Sequence, residues 1–360
     1  MPAPTPLRCL FIKPKLIGDT LLLTPTLEAV RRRHPNATID IVIRRGSESI
    51  LAGCTAQNRV FQTEAPDTDR ARRGWRTQLD LVRELRRTRY DWIFECSDTA
   101  RGRYLAWAAR GWRKVCNRHD IDQYGRVFDR VVWPAVFTDT VNFDWRDTHA
   151  IDGSYRLAQP FLDLPSQPPP LDYHAIAFDP RAAQIPVPPG FQLSRSRLVV
   201  HCGTRLASKA WPDDRWVQLV TRLAPRFDQI FLSLGPSEAE ARLGAQLAAI
   251  APGRVFAPTG FLPWSQLAAL LQGARLFLGV DTAAMHLAAA CRCPSVVIWG
   301  PASAVVFGPQ SAHATIVIDN QIVRSPFPGS TGHDEARLGT RNSVEAVEHT
   351  ADQVLAETGG

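Results

Sequence analysis

Short apolar runs alternate with amphipathic segments along the first 160 residues of the chain. Each run has the length of a buried strand, and the segment Leu79–Arg86 has the three-to-four-residue apolar spacing of a helix. Alternation of strands and helices is typical of a parallel sheet with right-handed crossovers. The runs that predict strands are Arg8–Lys13, Thr38–Ile43, Arg59–Gln62 and Asp91–Cys96.

The same alternation starts again at Arg197. Helical spacing follows Pro212, recurs over 238–250 and 267–272, and returns from about Ser343. The strands predicted in this half are Arg197–His201, Gln229–Gly235, Arg254–Ala257, Leu276–Val280, Ser295–Gly300 and Thr315–Asp319.

Prolines crowd the segment between the two halves, where nine of them lie between Pro160 and Pro189. Because proline fixes φ, such a segment is a semi-rigid linker. We therefore predict an α/β protein of two doubly wound Rossmann-like domains, 1–165 and 197–335, facing each other across a cleft. The linker is 166–196, and residues 336–360 form a helical tail.

The positive charge lies in the first half of the chain. Residues 1–160 hold 27 Lys/Arg and 19 Asp/Glu, whereas the remainder is nearly neutral. This field attracts nucleic acid, acidic lipid or a phosphorylated substrate, although solvated helix faces would give the same composition. Tryptophans interleaved with the arginines (Trp75, Trp92, Trp107 and Trp112) are consistent with base stacking, membrane-interface contact or core packing.

Other features point to a protein of the cytosol. No apolar run approaches the ~18–20 residues needed to span a bilayer, and the N-terminal sequence lacks the features of a signal peptide. The seven cysteines are scattered and odd in number, as expected for thiols in a reducing compartment. We predict no metal site, because no cluster of metal-ligating residues has suitable spacing.

A predicted strand-to-helix turn at Asp281 is the strongest candidate site. The helix that follows the strand Leu276–Val280 is rich in alanine, so a ligand can approach its first turn closely. That turn carries unpaired N–H groups and a partial positive charge, which favour phosphate. Asp281 stands where a helix cap or an acceptor for ribose hydroxyls would stand. These features predict a nucleotide pocket.

A second carboxylate occupies a similar turn near the N-terminus. Asp19 follows Gly18 in the loop after the first strand, and a helix is predicted from Thr20 to Arg31. Ligands of open α/β sheets bind at this rim, so Asp19 is a candidate general base. An ordinary helix cap is the alternative.

Three further residues are weaker candidates. Lys209 lies in a loop that fails the P-loop pattern, yet a lysine there could still reach a diphosphate. Glu238 follows another strand and could accept from ribose hydroxyls, or could simply favour the start of a helix. His286 could donate to a phosphate or sugar oxygen, or serve a structural role.

Three motifs resemble glycosyltransferase family 9, the ADP-heptose:lipopolysaccharide heptosyltransferases. They are the segment Lys13–Leu27, the segment Ser208–Pro212, and Asp281–His286 followed by Pro294–Pro301. In one position the chain departs from the family, since Ala283 replaces a glycine that usually follows Asp-Ser/Thr. A methyl group there is expected to alter the fit of the donor.

The resemblance implies the GT-B architecture, with acceptor bound by the N-terminal domain and nucleotide sugar by the C-terminal one. It implies inverting, metal-independent transfer of heptose from ADP-heptose to a lipopolysaccharide inner core, without a cofactor. Asp19 would be the base. Lys209 and Thr282 would stabilise the leaving diphosphate, Asp281 and Glu238 would hold the nucleoside, and His286 would support the donor.

The implied setting is the cytoplasmic face of the inner membrane of a Gram-negative bacterium, with peripheral membrane contact and an anionic acceptor. No specific nucleic acid partner is expected, and the oligomeric state stays open. Three alternatives remain. They are transfer from a different nucleotide sugar, a sugar-nucleotide epimerase, and a non-catalytic nucleic-acid binder.

Overall fold

A computed structural model describes residues 6–64, 74–124, 127–174, 176–324 and 341–358 of the chain. Its internal contacts divide it into two compact units, Met1–Leu171 and Asp172–Gly360. Each unit is an α/β domain around a largely parallel sheet, which confirms the predicted fold class. In the described ranges no helix is both long and apolar enough to cross a membrane.

The described part of the first unit contains six parallel strands in the order β3-β2-β1-β4-β5-β6. The four predicted strands are present with ends shifted by at most two residues, but β5 and β6 were not predicted. The strands are β1 (Arg8–Lys13), β2 (Thr38–Arg44), β3 (Arg59–Thr63), β4 (Arg89–Glu95), β5 (Arg110–Asn117) and β6 (Asp139–Val141).

Helices cover both faces of this sheet. They are α1 (Ile17–Leu21), α2 (Thr24–Arg33), α3 (Gly74–Arg87), α4 (Ala100–Ala108), α5 (Arg118–Tyr124), α6 (Val127–Val136) and α7 (Ala150–Ala158), with a 3₁₀ turn at Glu48–Gly53. One core cluster joins α3, α4 and α6 through Leu85, Leu105 and Trp133, so these three helices share a face of the sheet. Helices α2 and α7 pack against each other.

The helix predicted over residues 20–31 is wrong in its bounds. Helix α1 begins at Ile17, so Gly18 lies inside it and not in a flexible loop. The chain then turns at Leu22, and α2 starts with Pro25 in its first turn. Proline is well suited to that position because its missing N–H would have no partner there.

The second unit contains a described sheet in the order β13-β12-β11-β10-β7-β8-β9, parallel except for the β12–β13 pair. The six predicted strands are all present, and β13 was not predicted. The strands are β7 (Arg197–His201), β8 (Gln229–Ser233), β9 (Val255–Phe256), β10 (Leu276–Val280), β11 (Ser295–Ile298), β12 (Ala314–Ile318) and β13 (Gln321–Arg324).

The helices of this unit include the predicted tail. They are α8 (Asp213–Leu223), α9 (Glu238–Ala248), α10 (Trp264–Leu271), α11 (Ala283–Ala290), α12 (Ala304–Phe307) and α13 (Val344–Thr358), with 3₁₀ turns at Ala207–Lys209 and Ala224–Arg226. Val347 and Val354 of α13 are buried in the same core as α8. The described part of the tail, residues 341–358, is therefore an integral part of the second unit, and the rest of the predicted tail lies outside the described residues.

The proline-rich segment is divided between the units, because the boundary falls at Leu171/Asp172. Its later part packs on the second unit. The Tyr173 N–H donates to Ala290 O at 3.2 Å, and the Thr259 N–H donates to Gln184 O at 2.9 Å. Phe191 lies against the rings of Phe231 and Phe256. The described residues of 172–196 thus belong to the second unit's fold.

Candidate active site

Each sheet has one point at which the strand order reverses, and the candidate residues lie around these two points. The reversal falls between β1 and β4 in the first unit and between β7 and β10 in the second. In open α/β sheets the loops at the carboxyl ends of such strands diverge and leave room for a ligand. Asp19 follows β1, Lys209 follows β7, and Asp281 follows β10.

Asp19 occupies the third position of α1 and is half-buried. One of its carboxylate oxygens accepts a hydrogen bond from the Leu16 N–H at 3.2 Å. Asp19 is not the cap itself but reaches back to the capping residue, so the helix-cap alternative is wrong in its simple form, while the role of general base stays a prediction. This hydrogen bond holds the Asp19 side chain beside the loop that follows β1.

Two lysines lie at the start of this loop, Lys13 at the end of β1 and Lys15 within the loop. Lys13 is 1% exposed, and its ammonium donates to Ser154 Oγ at 2.7 Å. The Ser154 hydroxyl donates in turn to Ala150 O at 3.1 Å, so its lone pairs are free to accept from Lys13. The Lys13 and Lys15 ammonium groups lie 5.5 and 5.6 Å from the centre of the Trp145 ring. The residues predicted from sequence did not include this cluster.

The charges around Lys13 oppose one another. Burial lowers the pKa of Lys13, and Lys15 acts in the same direction, while the Asp19 carboxylate favours the ammonium form. Glu95, at the end of neighbouring β4, is buried, and burial raises its pKa against the effect of its hydrogen bond from Ser97. Asp19 is therefore held in a site rich in buried ionisable groups, which is common at functional sites.

In the second unit an ion pair spans the reversal point. Lys209 Nζ lies 2.6 Å from Asp281 Oδ2, although 72 residues separate them in sequence. The Asp281 side chain is 4% exposed and that of Lys209 20% exposed. Burial raises the pKa of Asp281, whereas Lys209 lowers it. The backbone of Gly300 packs beside Lys209, since a β-carbon there would lie 3.4 Å from the lysine Cα, in ordinary van der Waals contact.

The first turn of α11 adjoins this ion pair. Thr282 is the capping residue in an extended conformation, and its side chain makes no capping hydrogen bond to the turn. Thr282 and Ala283 are half-exposed, whereas His286 is 5% exposed, and all of α11 from Ala284 onward is buried. The donor roles of these three residues remain predictions, and the burial of His286 favours an indirect contribution.

Glu240, and not the predicted Glu238, contacts the loops that follow β7 and β8. The Glu238 side chain is 97% exposed and pairs with Arg242 in the next turn. The Glu240 carboxylate accepts from the Gly235 N–H and from Ser237 Oγ, and a β-carbon at Gly203 would overlap it. The capping-box pattern Ser237-x-x-Glu240 is the sequence signal that would have identified this residue.

Paired substitutions distinguish the two glutamates. If Glu240 contacts the nucleoside, Glu240→Gln should weaken ADP binding by about ten-fold, as expected for losing a charged hydrogen-bond acceptor. Glu238→Gln, the same charge change two residues away, should alter it by less than about two-fold, because an exposed surface pair contributes little. Calorimetric titration with ADP measures both. If Glu238→Gln weakened ADP binding more than Glu240→Gln, Glu238 would be the nucleoside ligand.

His201 lies beneath this site at the end of β7. Its side chain is buried, and Nδ1 lies 3.0 Å from Ser233 Oγ on the adjacent strand. Burial lowers the pKa of His201 from 6.5 to about 4. The imidazole is therefore neutral near pH 7.

This buried histidine should make stability depend on pH. In the unfolded chain the His201 imidazole is protonated as the pH falls through 6.5. In the folded chain it is protonated only near pH 4. Its contribution is therefore fully present above pH 6.5 and is lost as the pH falls. We expect a loss of about 1–1.5 kcal/mol between pH 7 and pH 5.5, which His201→Asn should abolish. Urea unfolding at both pH values measures it, and equal pH dependence in the two proteins would contradict this assignment.

Comparisons with known proteins agree with the fold and place the chain among relatives. Residues 78–326 match the family model described as glycosyltransferase family 9 (heptosyltransferase). Lipopolysaccharide heptosyltransferase 3 of Escherichia coli K12 is 23% identical over 301 residues, covering 81% of this chain and 82% of the relative. Lipopolysaccharide heptosyltransferase 1 of Pseudomonas aeruginosa PAO1 is 26% identical over 310 residues, covering 82% and 79%.

A solved structure is similar over nearly the whole chain. The E. coli heptosyltransferase WaaC with ADP has a TM-score of 0.73 at 20% identity, with 97% of this chain and 100% of that chain covered. A second structure of WaaC contains ADP-2-deoxy-2-fluoro heptose. Within the described ranges of the present chain, no group of three or more His, Cys, Asp or Glu side chains could hold a metal ion.

Proposed function

Because the chain belongs to glycosyltransferase family 9 and is a glycosyltransferase, we propose that it transfers a heptose from ADP-heptose to a hydroxyl of a lipopolysaccharide inner core. The observation that carries the proposal is the Lys209–Asp281 pair beside the first turn of α11. It combines a cation, a buried carboxylate and a helix N-terminus, which suit a diphosphate and sugar hydroxyls. The ADP-bound relatives support the choice of nucleotide.

The second unit would bind the donor. Lys209 and the first turn of α11 would stabilise the negative charge that develops on the departing diphosphate. Asp281 would both hold Lys209 and accept from a hydroxyl of the donor, since its second carboxylate oxygen is outside the ion pair. A carboxylate in the first turn of α9 would accept from the ribose, with Glu240 better placed than Glu238.

The first unit would supply the base. Asp19 removes the proton from the acceptor hydroxyl as the oxygen attacks the anomeric carbon. The bond between that carbon and the diphosphate oxygen breaks, and its electron pair leaves on ADP. A single displacement of this kind inverts the anomeric configuration, and charge stabilisation by Lys209 and the first turn of α11 would take the place of a metal ion. The positive charge of the first half, 27 Lys/Arg against 19 Asp/Glu over residues 1–160, suits a phosphorylated acceptor.

Donor selectivity tests the proposal most directly. Calorimetry should show binding of ADP and ADP-heptose and much weaker binding of UDP and UDP-sugars, without acceptor present. Transfer to a truncated core oligosaccharide should continue in EDTA, and proton NMR of the product should show the inverted anomer. A preference for UDP ligands would move the proposal to another donor. Loss of transfer in EDTA would contradict metal independence.

A further inference from the structure

Large apolar side chains are exposed on one part of the first unit. Tyr104 is 55% exposed, Trp107 59%, Trp112 61% and Val131 70%. Single exposed apolar residues are ordinary, but clustered aromatic ones are a feature of interaction surfaces. These four residues lie on α4, β5 and α6.

Contacts join these elements into one surface. Tyr104 and Trp107 are three residues apart on α4, which places them on the same side of the helix. The Tyr104 ring meets the Trp133 ring of α6 edge-on at 5.3 Å. Lys114 Nζ of β5 donates to Trp107 O at 3.0 Å. We call Tyr104, Trp107 and Trp112, together with the adjoining basic residues, the aromatic–basic patch.

The basic residues of the patch lie among the rings. The Arg89 guanidinium lies 3.4 Å from the centre of the Trp112 ring, and Arg89 pairs in register with exposed Arg110 on β5. Burial lowers the pKa of Lys114, and nearby Arg86 lowers it further. Residues 100–118 contain six Lys/Arg and no Asp/Glu, but Arg103, Arg113 and Arg118 form ion pairs with Asp98, Asp139 and Asp122, so the charge of the patch comes from the remaining basic residues together with Arg89. The surface therefore carries a local excess of positive charge.

The patch is remote from the candidate base. Arg89 and Arg110 begin β4 and β5, whereas Asp19 follows the carboxyl end of β1, which is parallel to β4. The two positions thus lie at opposite ends of the parallel strands, separated by about 20 Å for strands of this length. An acceptor group at Asp19 is not what the patch contacts.

We propose that the aromatic–basic patch docks the protein on an anionic lipid surface. Tryptophan and tyrosine favour the membrane interface, where the ring enters the acyl boundary and the polar edge stays at the headgroups. Arginine and lysine are attracted to anionic headgroups. The combination fits a lipid surface better than a folded protein partner, whose interfaces are depleted in charge at their core. This docking does not depend on the identity of the transferred sugar.

Vesicle sedimentation with the full-length protein tests the proposal. The protein should pellet with vesicles containing phosphatidylglycerol and much less with pure phosphatidylcholine vesicles. Replacing Arg89 and Arg110 by glutamine should weaken binding to the anionic vesicles by about five-fold per charge. Each basic residue near an anionic membrane strengthens binding by about that factor. Trp107→Ala with Trp112→Ala should weaken binding in both low and moderate salt, because its contribution is apolar.

Matched controls come from the second unit. Phe261→Ala removes a 45% exposed ring, and Arg242→Gln removes an exposed cation. Both should bind vesicles like the unaltered protein. Thermal melting and ADP calorimetry should be unchanged in the patch variants, which separates lost docking from lost folding or donor binding. Equal binding to both vesicle types would overturn the proposal. Patch variants that keep vesicle binding but lose binding to generic RNA would show a nucleic-acid surface instead.

Discussion

Asp19→Asn should lower kcat/KM for transfer by about 10²–10⁴-fold, which is the usual contribution of a general base. The amide cannot take the proton of the acceptor hydroxyl. Its oxygen can still accept from the Leu16 N–H, so the start of α1 should keep its structure. Steady-state kinetics with ADP-heptose and a truncated core acceptor measure the loss.

Two further measurements make the assignment of the base specific. Calorimetric affinity for ADP should be unchanged, because the proposed donor residues belong to the second unit. Asp163→Asn is the matched control, since it removes an 81% exposed carboxylate of the same unit at a left-handed backbone position that asparagine tolerates. It should leave kcat/KM within about two-fold, as expected of a surface pair. An Asp19→Asn protein with normal turnover would remove Asp19 from the mechanism.

Lys209→Gln should weaken ADP binding by about ten- to hundred-fold, the range expected for losing a charge-assisted hydrogen bond. The same change has a structural consequence. Asp281 is 4% exposed and would lose its counter-ion, which typically costs about 3 kcal/mol or more for a buried pair. Calorimetry and urea unfolding on the same protein measure the two effects separately.

A double variant separates binding from stability at this ion pair. Adding Asp281→Asn removes the uncompensated carboxylate, so the free energy of unfolding should recover. Affinity for ADP should not recover, because the cation is still missing. Arg205→Gln, which removes an exposed cation of the same loop, is the charge control. If stability and affinity recovered together, Lys209 would be a structural residue without a direct role in donor binding.

The buried strands were the easiest features to predict, for a physical reason. Arg197–His201 and Leu276–Val280 are covered on both faces, so their sequences are nearly continuous apolar runs with polar neighbours. Strand β5 was missed because its first half, Arg110–Lys114, is exposed or half-exposed and reads as a charged loop. Among the described strands β13 has one neighbour, β12, and its residues are half-buried or exposed, so its sequence also lacks an apolar run.

Site prediction was limited mainly by contacts between distant residues. Lys209 and Asp281 were each identified, because each follows a recognisable strand, but their pairing depends on β7 and β10 being neighbours. No local sequence feature specifies that β7 and β10 lie side by side. The choice between Glu238 and Glu240 depended instead on a local cap, and it could have been made from the sequence. The contact of Lys13 with Ser154 joins residues 141 positions apart, so it could not be predicted from the sequence.

The packing of residues 172–196 decides where the chain can be cut. A fragment that begins at Arg197 would preserve every strand of the second sheet, yet it would strip Phe178 and Phe191 from the rings of Phe231 and Phe256. It would also lose the hydrogen bond from the Asp179 N–H to the Gln266 side chain at 2.8 Å. Such a fragment would carry a bare aromatic surface and tend to aggregate. A soluble donor-binding half should begin at Asp172, so only the later prolines of the junction (Pro180, Pro186, Pro188 and Pro189) belong to it.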